Sequence, residues 1–240
     1  MDNSHGLSAR TMAFSAKGFV KSMVMIGANE VGDKTFFIAA VMAMTQPRSA
    51  VFGGALAALA LMTALSAMLG YMVGELSGSF GAGFTDLVAA LLFFWFGARM
   101  LWDAHNASGE LEELKEVEEE LAAGAGKGKF KGKGNSGATA ASGLAALCGA
   151  VFTKALTLTF LAEWGDRSQL ATITLAARSD PLGVTLGGIA GHAACTGLAV
   201  IGGRAFASAI SERVVLAAGG ALFWVFGVQC ALTALAEGKG

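Results

Sequence analysis

The chain has 240 residues, of which 54% are hydrophobic and only 15% charged, against about 25% in soluble domains, and its net charge is −1. Seven acids and five lysines fall between Glu110 and Lys133, which leaves 23 charges for the other 216 residues. That is too few to cover a soluble surface, so composition excludes a soluble enzyme, a nucleic-acid binder and a disordered chain, and predicts an all-α protein crossing a lipid bilayer several times.

Residues 1–18 form an N-terminal segment with Arg10, Lys17 and several serines. The apolar stretch that follows is too long for the core of a cleaved signal peptide, and a longer targeting segment upstream stays open. About 20 apolar residues at 1.5 Å per residue cross a bilayer of about 30 Å. Windows of that size give six spans: Phe19 to Met44, Val51 to Val73, Phe84 to Ala104, Ala150 to Ala177, Leu182 to Ala209 and Val214 to Ala236. The first and fourth are longer than needed and carry charge at their centres, which predicts tilt or kinking. Between the third and fourth, residues 105–149 hold a short acidic helix, Glu110 to Leu121, with Leu111, Leu114, Val117 and Leu121 on one face. A solvated Gly/Lys linker follows, Gly124 to Gly137. Residues 237–240 form a short tail. Cys148, Cys195 and Cys230 lie in apolar sequence without zinc or disulfide spacing and read as small apolar residues.

The chain repeats itself. Asn29-Glu30-Val31-Gly32-Asp33-Lys34-Thr35 matches Ala162-Glu163-Trp164-Gly165-Asp166-Arg167-Ser168 at an offset of 133 residues, and Lys21 and Lys154 each stand nine positions before the Glu. Gly53-Gly54 corresponds to Gly187-Gly188. Phe93-Phe94-Trp95-Phe96-Gly97 echoes Phe223-Trp224-Val225-Phe226-Gly227. Residues 19–104 and 150–236 therefore form two three-helix repeats. Three crossings each force the second to run through the membrane in the opposite sense, as in the inverted repeats of secondary transporters.

Each motif places two acids at i and i+3, on one face of a helix, with Lys34 or Arg167 within salt-bridge reach of its Glu. Gly32 and Gly165 permit close backbone approach or a local break, and Thr35 and Ser168 add a hydroxyl oxygen. Four carboxylates and two hydroxyls at membrane depth suit a hard divalent cation, Ca²⁺ or Mn²⁺, and the motifs hold no His or thiolate for zinc or copper. Lys21, Lys154, Arg99 and Arg204 are expected to snorkel to an interface, and Glu75 and Asp86 to be solvated. His192 is expected in an interhelical hydrogen bond, with a proton relay as the alternative. Phe93 to Phe96 and Trp102 are expected to contact lipid.

Two copies of E-x-G-D-[KR]-[TS], each opening a three-helix repeat around an acidic central loop, resemble the calcium/manganese–proton antiporters of Golgi and chloroplast membranes. That family, once catalogued as uncharacterised protein family sixteen, is grouped with the lysine exporter superfamily. The resemblance covers Lys21 to Ala236. It implies that Glu30, Asp33, Glu163 and Asp166 carry the cation, with Thr35 and Ser168 beside them and Asn29, Gly32, Lys34, Gly165, Arg167 and Gln169 in support. It also implies a transporter rather than an enzyme, with no resident cofactor, exchanging Ca²⁺ or Mn²⁺ for protons as the two halves rock about one site. The alternatives are a carboxylate-lined transporter or channel for another cation, and an intramembrane metal-dependent enzyme, for which no nucleophile or recognition group is evident.

Counting Lys and Arg at the span ends puts seven on the side of the central loop (Arg48, Lys115, Lys127, Lys129, Lys131, Lys133, Arg213) and five on the side of the termini (Arg10, Lys17, Lys21, Arg178, Lys239). This places the loop in the cytosol or stroma. A Golgi membrane is the first expectation and a chloroplast membrane the second, and a homo-oligomer stays open.

Overall fold

The computed structural model describes residues 14–77, 83–107, 115, 117–119, 121, 140–209 and 211–237. Among them it is helical throughout, with no strand: α1 (Ala16–Glu30), α2 (Lys34–Thr45), α3 (Arg48–Ser77), α4 (Phe84–Asn106), α5 (Ala140–Glu163), α6 (Arg167–Arg178), α7 (Pro181–Ala209) and α8 (Glu212–Glu237). Five stretches are long and apolar enough to cross a bilayer: Arg48–Leu76, Phe84–Asn106, Ala146–Glu163, Pro181–Gly203 and Arg213–Glu237. The protein is a multi-pass all-α membrane protein. Leu61, Met68, Leu91, Leu161, Ile201 and Leu232 all point outward, as side chains facing lipid do.

The first and fourth expected spans are each two helices. Each breaks inside its motif, where Gly32 and Gly165 take φ of 81° and 82°, a left-handed conformation that costs a residue with a Cβ about 1–2 kcal/mol. The next residue, Asp33 or Asp166, is extended and caps the following helix. The first crossing is thus shared between 15-residue α1 and 12-residue α2. Helix α5 also begins at Ala140, ten residues before the expected fourth span and within the segment 105–149 set between the repeats.

The duplication is carried into packing. Helix ends Glu30 and Glu163, and helix starts Lys34 and Arg167, and Arg48 and Pro181, all repeat the 133-residue offset. Pro47 precedes α3 and Pro181 opens α7, where a missing N–H costs nothing. A Cβ added at Gly54 would fall on the Phe152 carbonyl oxygen, and one at Gly187 on that of Phe19, so α3 meets α5 as α7 meets α1. Helices α4 and α8 pair in the same reciprocal way: Gly97 is covered by Trp224 and Gly227 by Phe94. Small residues let these backbones approach where lipid offers no hydrophobic drive for association.

Two apolar cores result, and their members exchange under the same offset. One holds Ile38, Met42 and Ala43 of α2 with Val51 and Val200. The other holds Ala171, Leu175 and Ala176 of α6 with Val184 and Ala67. Phe93 lies in the second core, 5.7 Å from Phe223 and 5.9 Å from Phe226 between ring centroids. Of the aromatic cluster expected to contact lipid, then, Trp95 and Trp102 face outward while Phe93 is core. In the central segment, the described residues Lys115, Val117 to Glu119 and Leu121 are helical. Val117 is buried in the first core with Leu121 packed against it. Leu111, Leu114 and the Gly/Lys linker lie outside the described residues.

Candidate cation-binding site

The site forms where both broken helices meet between the two cores. Glu30 is the last residue of α1 and Glu163 the last of α5. Both are buried, at 2% and 1% exposure, and Thr35 and Ser168 beside them are equally enclosed. The Thr35 hydroxyl donates to Glu30 Oε2 at 3.3 Å, and the Ser168 hydroxyl donates to Glu163 Oε2, also at 3.3 Å. In each glutamate the other oxygen, Oε1, is buried without a hydrogen-bond partner. A buried carboxylate oxygen left bare costs a few kcal/mol, and here the cost is incurred twice, at equivalent positions.

Only the second motif adds a third carboxylate to this cluster among the described residues. Glu30, Glu163 and Asp166 each offer an oxygen, and the three atoms lie within 4.8 Å of one another. Carboxylates so close, away from water, require a cation or protons between them. Asp166 is held by its own turn: it caps α6, accepting from Ser168 N–H at 3.0 Å. Asp33 takes the same extended cap conformation without that bond. It lines an adjoining crevice with Asn29, Gly32 and Arg167.

The supporting residues shape the turns. Gln169 donates to the Glu163 carbonyl oxygen at 2.8 Å and accepts from Gly165 N–H at 3.4 Å, bracing the break after α5. Asn29 donates to the Met25 carbonyl oxygen at 2.9 Å, and its own Oδ1 is buried without a partner. Arg167 reaches Asp166 at 3.9 Å and Asp103 of α4 at 4.0 Å. Its guanidinium thus bridges to the neighbouring helix, whereas helical spacing predicted a pair with Glu163. Lys34 opens α2 at the position equivalent to Arg167.

Two residues sit where the sequence did not put them. His192 of α7 is buried, and its Nδ1 lies 3.6 Å from Glu30 Oε2, beyond hydrogen-bond reach. It lines a small cavity with Thr63, Ser66, Glu163, Ser168 and Thr172. The motifs hold no imidazole, but the fold brings one beside them. The signal was a lone imidazole among apolar residues, whose neighbour 162 positions away only tertiary structure reveals. Asp86, expected to be solvated, is 14% exposed and forms an ion pair with Arg178, which also contacts Cys230. The three cysteines are free.

A family model described as divalent cation/proton antiporter GDT1 matches residues 18–108 and 151–238, two segments whose starts are again 133 apart. The chain is 45% identical over 222 residues to GDT1-like protein 5 of Arabidopsis thaliana, covering 90% of this chain and 96% of that one. It is 46% identical over 231 residues to GDT1-like protein 4 of the same plant, covering 93% and 99%. With GDT1-like protein 3 of Oryza sativa subsp. indica it shares 44% over 211 residues, covering 87% and 71%. No solved structure matches. Motifs, duplication and family agree that this chain is a transporter rather than an enzyme and belongs to the GDT1 family of divalent cation/proton antiporters.

Proposed function

We propose that the protein exchanges Ca²⁺ or Mn²⁺ for protons by alternating access, with Glu30, Glu163 and Asp166 as the charged ligands and Thr35 and Ser168 as hydroxyl partners. The observation that carries this reading is the pair of bare Oε1 atoms on the two buried glutamates, each held in place by a hydroxyl from its own motif. Facing one compartment, the ionised carboxylates take a divalent ion through those oxygens. Facing an acidic one, they take protons and release it, so ion and protons compete for one set of atoms.

The broken helices serve this cycle in two ways. The C-terminal ends of α1 and α5 and the N-terminal ends of α2 and α6 meet at the site, which lets backbone dipoles help hold both the ion and its ligands. Asp33, beside Arg167 in the adjoining crevice, is the carboxylate an ion meets on its way in. The two repeats, residues 19–104 and 150–236, run through the membrane in opposite senses and rock about the site. The resemblance and the Lys/Arg count favour a Golgi membrane, with a chloroplast membrane second and the central loop on the cytosolic or stromal side.

The test is uptake of radiolabelled Ca²⁺ and Mn²⁺ into proteoliposomes under an imposed pH gradient, with Glu30→Gln and Glu163→Gln beside the wild type. Uptake is expected to depend on the gradient and to fall by about 10–100-fold in either variant, since each loses one carboxylate charge from the site. Flux that ignores the gradient would identify a channel. Normal flux in both variants would move the ion elsewhere.

A further inference from the structure

We propose that the ion pair of Asp86 and Arg178 is a latch that holds one face of the transporter shut, and that it parts before the cation site opens to that face. The inference rests on alternating access as proposed above and concerns residues outside both motifs.

The latch lies at the end of the bundle where α1 and α4 begin and α8 ends. A Cβ on Gly18 of α1 would fall on the Asp180 carboxylate, between α6 and α7, and one on Gly83, before α4, would meet the Ala234 carbonyl oxygen of α8. One turn deeper, the Ser22 hydroxyl donates to the Val184 carbonyl oxygen at 2.7 Å and joins α1 to α7. Arg178, the last residue of α6, pairs with Asp86 in the first turn of α4, and it also contacts Cys230 of α8. The two paired side chains are only 15% and 14% exposed.

The pair is placed to act on the site. Asp166 caps the same 12-residue helix that Arg178 ends, so α6 is a rod of about 18 Å with an ion ligand at one end and the latch at the other. A buried ion pair also has two discrete arrangements. Made, each charge compensates the other; parted, each needs water, which reaches it when that face opens.

The other half is closed by different chemistry. The offset of 133 sets Ala155 against Ser22, Thr45 against Arg178 and Pro47 against Asp180, and the Gly97–Gly227 register sets Leu216 against Asp86. Where the polar contacts would recur, Val51, Val151 and Ala155 of the first core pack instead. A crevice lined by Asn29, Asp33, Met100, Arg167, Val215 and Leu216 reaches the motifs near the start of α8. Val215 precedes Cys230 by fifteen residues, about 22 Å along the helix, so the crevice lies toward the face opposite the latch.

The experiment replaces the native cysteines and introduces two reporters, one at a time, in sealed proteoliposomes: Ser22→Cys, between the latch and Glu30, and Val215→Cys, in the crevice. Each is labelled with an impermeant methanethiosulfonate from either side. The latch is removed by Asp86→Ala together with Arg178→Met, because losing both partners leaves no buried unpaired charge and spares the fold. Ser22→Cys is then expected to label roughly tenfold faster, from the latched face alone, while Val215→Cys labels more slowly. Continued protection of Ser22→Cys overturns the proposal. So does faster labelling of both reporters, which is loosening rather than an exchange of faces. A second arm joins the two positions: Asp86→Cys with Arg178→Cys, bridged by a short bifunctional methanethiosulfonate, is expected to lose gradient-driven Mn²⁺ uptake and to regain it on reduction. Undiminished uptake by the bridged protein also overturns the latch. Alternating access has its own control. If neither reporter responds to saturating Mn²⁺ or Ca²⁺ or to a pH gradient while the latch is intact, that reading fails, whatever the latch variants do.

Discussion

At Gly165 the backbone shapes the candidate site. Its φ of 82° ends α5 and lets Glu163 and Asp166 bring carboxylate oxygens within 4.8 Å of one another rather than lie along a continuous helix. A Cβ there would meet nothing within 4 Å, so a substitution is penalised by conformation alone. Gly165→Ala is expected to cost about 1–2 kcal/mol of stability, read as a lowered melting temperature in detergent, and to weaken transport by shifting Glu163. An unchanged melt would mean the turn relaxes at no cost. The motif was legible as a string because its residue types are unusual at membrane depth. That Asp166 joins the two glutamates while Asp33 turns to the neighbouring crevice was not legible, since the two copies are alike in sequence and differ in what packs against them.

Helix α6 is tied to α4 near both ends, by Arg167 to Asp103 and by Arg178 to Asp86. Its counterpart α2 has Thr45 where α6 has Arg178, and α8 has Leu216 at the position that the Gly97–Gly227 register, an offset of 130, matches to Asp86, so the outer tie exists in one half only. Asp86→Ala would leave a guanidinium that is 15% exposed without its carboxylate. The expected loss is about 3 kcal/mol, again seen in thermal unfolding, with partial recovery when Arg178→Met is added. A fall of less than 1 kcal/mol in the single variant would mean that Arg178 reaches solvent instead. Sequence position suggested a loop-side acid in water. Burial of Asp86 follows from helices brought alongside from distant parts of the chain, and no local pattern encodes it, whereas that of Val117 in the first core follows the apolar face of its own helix.

For the whole molecule, the test of symmetry is topological. Lys21 and Lys154 occupy equivalent positions in the repeats, so an inverted arrangement puts them on opposite sides of the membrane. With the native cysteines replaced, Lys21→Cys and Lys154→Cys in sealed vesicles should react with an impermeant thiol reagent from opposite faces. Labelling of both from one face would overturn the inverted repeat. The sequence by itself determined the class, the duplication and the chemistry of the motifs: hydropathy follows composition, and an offset of 133 residues is visible wherever two strings are compared. The helix breaks at Gly32 and Gly165 were anticipated as an option and settled by backbone angles. Tertiary structure alone decided which oxygens converge, that Glu30 and Glu163 each keep a bare Oε1, and that His192 lies beside the other oxygen of Glu30. Those are contacts between residues on different helices, set by the close approach of small residues such as Gly54 to the Phe152 backbone, and a linear pattern carries no information about which faces meet.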